Sequence, residues 1–187
     1  RDSNYFDDGS RFDVKISYVR DVAKLRGTGG SILNAYKQGV IDQDDTLFVY
    51  YGDILTTMDI GDLVKYHFDK HSSATVALAS GFTVRVGLAD VDKRGRIRGF
   101  VEKPQLEKPV SIGIMVLKGD TLIDVEKLSK GKHRLDLMGD LIPHLIGAGK
   151  PVYGYLSKAF WYDVGSMEAY EKLNHRLIEK SLSYLFK

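Results

Sequence analysis

Some stretches of this chain have the hydrophobic pattern of a β-strand and others that of an α-helix, and the pattern changes several times along the sequence. Near-continuous apolar runs predict strands that are buried on both faces of a parallel sheet, and alternating apolar and polar residues predict half-buried strands. The clearest continuous run covers residues 46–51 and ends at Gly52 and Asp53. Strands are predicted at residues 12–18, 46–51, 75–80, 84–91, 96–101, 110–117 and 151–156.

Apolar residues at helical spacing predict a helix after several of these strands. One helix follows the glycine-rich loop 27–30, and another begins at Asp59, whose carboxylate we expect to cap it. A third, at 135–146, contains Pro143, which we expect to kink or restart it. Further helices are predicted at 120–128 and after Ser166, where the inward-facing stripe is Met167, Tyr170, Leu173, Leu177 and Ile178.

The order of these elements predicts the fold class. Strand and helix alternate through the first 80 residues, and a hairpin with its turn at 92–95 follows. This order predicts an α/β fold with a mixed sheet flanked by helices. A length of 187 residues suits a single domain that covers 1–187.

Composition narrows the classes of function. Lysine and arginine number 27 and aspartate and glutamate 25, so the net charge of +2 is too balanced to indicate a nucleic-acid partner. No apolar run approaches the roughly 18 to 20 residues of a membrane span. The sequence contains no cysteine, which excludes disulfides and thiolate metal sites and favours a cytoplasmic setting.

Two aspartates follow predicted strands and stand beside a glycine. Asp53 comes directly after Gly52 at the carboxyl end of the 46–51 strand, where open α/β sheets bind their ligands. Asp163 lies close to Gly165 in a similar setting. On these residues alone a ligand site and a simple turn are both open interpretations.

Other stretches carry weaker signals of chemistry. The loop 27–30 offers backbone N–H groups to an anionic or polar ligand, although Thr28 could equally be a helix N-cap. Glu102 and Lys103 follow a strand, and Pro104 is expected to hold Lys103 in an extended conformation. The alternative for this pair is a surface ion pair that contributes little stability.

Two histidines four residues apart on a predicted helix raise the possibility of a zinc site. His67 and His71 have that spacing, but no glutamate follows His67 and no third ligand is evident. We therefore expect both side chains on a solvated helix face.

Six segments, taken together and in order, resemble the sugar-1-phosphate nucleotidyltransferases, the pyrophosphorylases that make nucleotide sugars. Each segment is short, and their order and separations make the resemblance specific. They are YFDDGSRFDVKISYV at 5–19, LRGTGG at 25–30, VYYGD at 49–53, FVEKP at 100–104, VSIGIMVL at 110–117 and FWYDVGS at 160–166.

The resemblance implies a fold, a reaction and a set of site residues. The implied fold is a Rossmann-like mixed sheet of the nucleotide-diphospho-sugar transferase type. The implied reaction joins a nucleoside triphosphate (dTTP, UTP or GTP) to a hexose 1-phosphate and releases pyrophosphate. Asp53 and Asp163 would hold Mg²⁺. The other implied roles are Lys103 on the sugar phosphate, Glu102 on the sugar hydroxyls, Gly52, Gly87, Ser111 and Gly113 along the substrate, and Gly27 and Thr28 near the nucleoside.

The chain departs from the family pattern at two places. Ser111 and Met115 stand where the family usually has Asn and Tyr, which puts the sugar contacts of Ser111 in doubt. The family's glycine-rich loop with Arg and Lys is not found, so we expect a first βαβ segment, roughly 30 residues or more, upstream of residue 1. Without that segment, or a homo-oligomer partner in its place, the 46–51 strand would expose its edge.

Two other functions stay open at this point. A non-catalytic regulatory or nucleotide-sugar-binding subunit would account for the missing loop, and the chain alone could be inactive. A glycosyltransferase of related architecture is the third hypothesis. It would need two close aspartates on one metal, and Leu55 rather than an acid stands two residues after Asp53.

Overall fold

The computed structural model describes residues 5–21, 24–84, 86–171 and 173. Contacts group the chain into two compact units. The first unit contains residues 1–47, 72–74 and 117–152, and the second contains 48–71, 75–116 and 153–187.

Eight strands and five α-helices form the regular structure of the described residues. The strands are β1 (Thr46–Tyr50), β2 (Ile54–Thr56), β3 (Ala74–Ala79), β4 (Leu88–Val91), β5 (Ile97–Val101), β6 (Val110–Lys118), β7 (Val152–Ser157) and β8 (Trp161–Asp163). The helices are α1 (Thr28–Lys37), α2 (Ile60–Asp69), α3 (Leu122–Ser129), α4 (Ile142–Gly147) and α5 (Met167–Glu171). A short π-helix, Leu137–Leu141, precedes α4.

Four of these strands form one sheet in the order β1-β6-β3-β7. The Tyr51 N–H donates to the Gly113 carbonyl at 3.1 Å, and the Gly119 N–H donates to the Asp45 carbonyl at 2.8 Å. Because the partner number falls along β1 as it rises along β6, these two strands are antiparallel. The expectation that the 46–51 strand has parallel neighbours is therefore wrong for its pairing with β6.

The remaining two pairings fix the direction of the other strands. The Lys118 N–H, at the end of β6, donates to the carbonyl of Ser73, just before β3 begins, so β3 is antiparallel to β6. The Ser73 N–H donates to the carbonyl of Pro151, just before β7, so β3 and β7 are parallel. The sheet is mixed, as predicted, and β1, β3 and β7 all end at the same edge.

The burial of the two apolar runs differs. β6 has a neighbour on each side, and its residues 112 and 114–117 are at most 2% exposed. β1 stands at one end of the strand order in the described part of the chain, where Leu47 is buried but Tyr50 is 37% exposed. The expected burial of the 46–51 strand on both faces is therefore wrong, although the strand itself is confirmed.

The core of the second unit lies between α2 and the sheet. Leu63 of α2 packs with Ala77 of β3 and Ile114 of β6, and none of the three is exposed. Full burial of a leucine side chain contributes about 2 kcal/mol, so this face of α2 fixes the helix on the sheet. The predicted cap of α2 is confirmed, because the Asp59 carboxylate accepts a hydrogen bond from the Asp62 N–H at 3.1 Å.

His67 corrects one expectation about α2. It is 3% exposed, and its Nδ1 lies 3.0 Å from the hydroxyl of the fully buried Thr75. Burial lowers the pKa of His67. It belongs to the core rather than to a solvated face, whereas His71 is exposed.

The first unit has its own apolar core and one buried carboxylate. Its buried leucines and valine are Leu33, Leu47, Leu117, Leu122, Val125, Leu135, Leu137, Leu141 and Leu145. Asp124 of α3 is 5% exposed and accepts a hydrogen bond from Lys150 Nζ at 2.6 Å. Nε2 of His144 lies 3.3 Å from the same carboxylate.

Two predicted elements have a different form. The alternating stretch 12–18 is not a strand, because the Val14 and Ile16 N–H groups donate back to the carbonyls of Gly9 and Asp8 and curl the segment onto itself. The predicted helix 135–146 is divided between the π-helix and α4. The Asp136 carboxylate caps the π-helix by accepting from the Gly139 N–H at 2.8 Å.

The predicted inward stripe of the last helix is wrong at Met167 and Tyr170, whereas its member Leu173 is half-buried. Met167 and Tyr170 are 73% and 64% exposed. Leu177 and Ile178 lie outside the described residues. None of the helices in the described part of the chain has the length and apolar character that a membrane span requires.

Candidate functional site

A two-stranded ribbon brings the two predicted acids together. β2 pairs antiparallel with β8, and Ile54 stands opposite Asp163. The Val164 N–H donates to the Asp53 carbonyl at 2.8 Å, which extends the pairing beyond the ribbon. The sequence predicted no strand at β2 and gave no bounds for β8, although it placed Asp163 at a strand end, because three-residue strands carry too few positions to show a period.

Gly165 separates the two carboxylates. A Cβ placed on this glycine would lie 2.7 Å from Asp53 Oδ2 and 3.0 Å from Asp163 Oδ1. Both oxygens therefore face one point within 3.0 Å, and any larger residue would displace them. The Gly165 N–H also donates to Asp163 Oδ1 at 2.7 Å, which orients that carboxylate. Both aspartates are exposed to solvent.

The carboxylates open into a cavity of about 670 Å³. It lies where β1 and β3 end, as expected for ligands in open α/β sheets. Phe82 and Trp161 stack in its wall with their ring centroids 6.2 Å apart and an interplanar angle of 21°. The lining consists of Asp53, Ser80, Gly81, Phe82, Thr83, Trp161, Tyr162, Asp163, Gly165 and Ser166.

The segment 80–83 was missed by the sequence reasoning. It follows β3 directly. Ser80 and Gly81 are turn-forming residues after a strand, as Gly52 and Asp53 are after β1. A search for polar or glycine residues after every predicted parallel strand would have found it. Phe82 carries no such local signal, since its place in the cavity depends on the stacking with Trp161.

The donor set fits a magnesium ion better than a zinc ion. Mg²⁺ binds one or two protein carboxylates and completes its shell with water and phosphate oxygens. Asp53 and Asp163 supply two carboxylates from one side and leave the cavity side open. Within the described residues no group of three or more histidine, cysteine, aspartate or glutamate side chains could hold a metal.

Glu102 and Gly87 lie together on the neighbouring hairpin, which β4 and β5 form with Leu88 opposite Val101. A Cβ placed on Gly87 would lie 2.8 Å from Glu102 Oε2 and would also collide with the Phe100 ring. Only glycine fits at position 87, because side chains of the same hairpin fill the space that a Cβ would occupy.

Lys103 corrects the expectation that Pro104 holds it extended. Its φ is 48°, in the left-handed region that costs a residue with a Cβ roughly 1–2 kcal/mol. The following residues are tied down, because the Val84 N–H donates to the Pro104 carbonyl at 2.9 Å and the Leu106 N–H to the Phe82 carbonyl at 2.8 Å. The segment that carries Phe82 is thus hydrogen-bonded to the segment directly after Lys103.

The other predicted substrate residues are placed differently. Among the described residues predicted for the site, Asp53 and Asp163 line the cavity and the others lie outside its lining. Gly113 has φ 75°, and a Cβ there would lie 3.0 Å from the Tyr51 ring, so this glycine allows close packing of β6 against β1. Gly52 has no such neighbour within 4 Å, and Ser111 is exposed at the start of β6.

Gly27 and Thr28 belong to the first unit. Gly27, with φ 88°, is the N-cap residue of α1, so the alternative in which Thr28 caps the helix is wrong. The Thr28 hydroxyl donates to Asp136 at 3.1 Å and accepts from the Leu137 N–H at 2.9 Å. These contacts hold the loop against residues 135–137, and a role near the nucleoside stays a prediction.

Comparison with known proteins gives one consistent family. The sequence pattern of the family described as Nucleotidyl transferase matches residues 1–180. The chain is 30% identical over 182 residues to a UTP–glucose-1-phosphate uridylyltransferase from Synechocystis sp., with 89% of this chain and 46% of the relative covered. It is 28% identical over 168 residues to a mannose-1-phosphate guanylyltransferase from Mycobacterium tuberculosis, with 87% and 44% covered.

The fold has a counterpart among solved structures. A crystal structure from Bacillus anthracis, described as a glucose-1-phosphate thymidylyltransferase in complex with sucrose, superposes with a TM-score of 0.67 at 21% identity. The match covers 91% of this chain and 68% of that one, and at this identity it supports the fold alone. The chain spans about half the length of the curated relatives it matches.

Proposed function

The chain belongs to the nucleotidyl transferase family, and we propose that it takes part in transferring a nucleotidyl group from a nucleoside triphosphate to a sugar 1-phosphate. The observation that carries the proposal is the pair of carboxylates, Asp53 and Asp163, that face one point beside Gly165 in the cavity. The names of the relatives support the class of substrates, since each joins a nucleotide to glucose or mannose 1-phosphate.

Asp53 and Asp163 would hold Mg²⁺ in this proposal. When bound, the ion supplies positive charge that neutralises the phosphate oxygens of the triphosphate. Nucleotidyl transfer needs positioning and charge stabilisation more than covalent chemistry from the protein. The hydrogen bond from the Gly165 N–H would keep the Asp163 carboxylate oriented before any ligand arrives.

The remaining site residues have roles on the sugar phosphate and the nucleoside. An oxygen of the sugar 1-phosphate attacks the α-phosphorus in line, and pyrophosphate leaves. Lys103 would bind the sugar phosphate and Glu102 the sugar hydroxyls, with Gly52, Gly87, Ser111 and Gly113 along the substrate. Gly27 and Thr28 would lie near the nucleoside, for which dTTP, UTP and GTP are the candidate donors.

The stacked rings of Phe82 and Trp161 add an apolar wall on which a flat or apolar face of the substrate can pack.

We also propose that β1 pairs with a further segment of the natural protein or with a second copy. In the described part of the chain β1 stands at the end of the sheet, and an unpaired edge invites such pairing. Cooperative melting of these 187 residues as a soluble monomer would contradict this part of the proposal. We also propose a cytoplasmic setting for the reaction.

The decisive experiment is an activity assay on the longest natural form of the protein. It combines Mg²⁺, glucose 1-phosphate or mannose 1-phosphate and one of dTTP, UTP, GTP or ATP, and it measures pyrophosphate release. We expect release with one pairing well above the others. Binding of a nucleotide sugar without any pyrophosphate release would instead support the regulatory subunit.

A further inference from the structure

The turn of the β4–β5 hairpin is a rigid structure built around Asp92. The Asp92 N–H donates to the Arg96 carbonyl at 3.0 Å, and the Gly95 N–H donates to the Asp92 carbonyl at 2.9 Å. Gly95 has φ 80°, which the turn requires. Oδ1 of Asp92 also accepts from the N–H groups of Arg94 and Arg96 at 2.9 and 3.0 Å. The carboxylate therefore fixes the backbone of the turn.

The charges at this turn do not balance. Four cations, Lys93, Arg94, Arg96 and Arg98, stand around the single carboxylate of Asp92. Arg98 binds its Oδ2 through Nε at 3.1 Å and Nη2 at 3.0 Å. Both oxygens of Asp92 are then occupied. Lys93, Arg94 and Arg96 form no ion pair with the rest of the described chain.

The unpaired cations share one concave surface. Asp92, Lys93, Arg94, Arg96 and Arg98 line a concavity of about 610 Å³. A solvated run of charges would normally spread apart, because like charges held close together repel. Here the fixed turn keeps them together, so a ligand that binds them does not have to order the backbone first.

We propose that this turn, residues 92–96 with Arg98, binds the phosphate group of an anionic ligand. Three unpaired positive charges match a group that carries two or more negative charges, whereas one carboxylate would leave two of them uncompensated. The guanidinium fork also fits phosphate oxygens in a bidentate manner. A nucleic acid fits less well, because it needs cations along an extended track and this cluster occupies a single turn. The proposal does not depend on the nucleotidyl transfer proposed above.

The phosphate group that binds this turn can belong to either of two kinds of ligand. One is a free phosphorylated molecule, and the other is a phospholipid headgroup. The headgroup remains a source because the adjoining strands expose apolar side chains. Leu88, Ile97 and Val101 are each at least 50% exposed. The experiment therefore has one arm for each source.

The first arm titrates the longest natural form of the protein with inorganic pyrophosphate and follows backbone amide resonances by NMR. We expect a saturable shift of the Gly95 amide. The Arg94→Gln/Arg96→Gln variant removes two of the three free charges and should weaken this binding about tenfold or more. Lys65→Gln/Lys130→Gln is the matched control, since it removes the same charge from exposed positions elsewhere. The Gly165 amide reports separately on the candidate active site.

The second arm measures co-sedimentation with vesicles of phosphatidylcholine, with and without phosphatidic acid, whose phosphomonoester headgroup can carry two negative charges. Retention on the anionic vesicles that is lost in the arginine variant supports the headgroup as the source. The proposal is overturned if neither arm shows binding at the turn, or if the control variant weakens binding as much as the arginine variant. Should the double variant fold poorly, Lys93→Gln gives the same comparison, because its side chain takes part in none of the contacts that close the turn.

Discussion

The two units hold their carboxylates in opposite ways. In the first unit, Asp124 is buried at 5% exposure and is surrounded by basic side chains of its own chain. Lys150 lies 2.6 Å and His144 3.3 Å from it, with Lys127 at 4.0 Å. In the second unit, Asp53 and Asp163 are exposed, lie near each other beside Gly165, and have no ion pair with another described residue.

This difference separates a carboxylate that stabilises the fold from a pair that is available to a ligand. Removing the charge of Asp124 would leave the basic side chains around it without a negatively charged partner. Removing a charge from Asp53 or Asp163 would instead relieve the repulsion between two like charges. An Asp→Asn change should therefore lower stability and leave activity unchanged at Asp124, and lower activity without lowering stability at Asp53 or Asp163.

The largest effect is expected from Asp53→Asn and Asp163→Asn. Each should lower the rate of pyrophosphate release about a thousandfold or more, because half of the proposed metal-binding charge is lost. The free energy of unfolding should stay the same or rise slightly. Asp69→Asn, at an exposed position of α2, is the control and should leave both quantities unchanged. Full activity in both site variants would remove the metal assignment.

A smaller loss of activity is expected from Gly165→Ala. The added methyl group would lie 2.7 Å from Asp53 Oδ2 and 3.0 Å from Asp163 Oδ1, so it must push the carboxylates apart. We expect activity to fall about ten- to a hundredfold, since misplacement by about 1 Å has that scale of effect. Steady-state kinetics at several Mg²⁺ concentrations would measure it. An unchanged dependence on Mg²⁺ would contradict the role given to this glycine.

The local sequence pattern predicted the long strands and the two candidate site acids, but not the contact between the acids. Asp53 and Asp163 were predicted as strand-end acids, and the regular strands β3, β6 and β7 were found because their apolar runs are long. The contact between the two acids was not predictable from local pattern. It arises from β2 and β8, which are three residues each and pair across more than 100 positions of sequence.

The wrong and missing predictions have specific structural causes. The 12–18 stretch has the alternation of a strand but begins after Gly9, whose φ of 84° turns the chain back on itself. His67 has the sequence surroundings of a surface histidine, and its burial depends on Thr75 of a different element. Asp124 gave no signal, since the lysine that neutralises it stands 26 positions later.

Asp124→Asn should lower the stability of the first unit without affecting the chemistry. The amide keeps the shape of the side chain but leaves Lys150 and His144 without their anion. We expect a loss of about 2 kcal/mol in the free energy of unfolding, below the value for a fully buried pair because both partners are about one-third exposed. Urea denaturation would measure it. Activity per folded molecule should be unchanged, and a proportional loss of activity at full stability would contradict the comparison.

The smallest effect concerns acid stability and again depends on Asp124. Burial acts to raise the pKa of Asp124, but the hydrogen bonds from Lys150 and His144 outweigh it and hold that pKa below its usual value. The folded state then binds fewer protons than the unfolded state. The stabilisation is complete above the unfolded pKa, about 3.9, and is lost as the pH falls through the lower folded value. The difference in unfolding free energy between the natural protein and Asp124→Asn should therefore be full at pH 7 and should shrink below about pH 4. A difference that stays constant down to pH 2 would mean that the carboxylate charge is not what stabilises this unit.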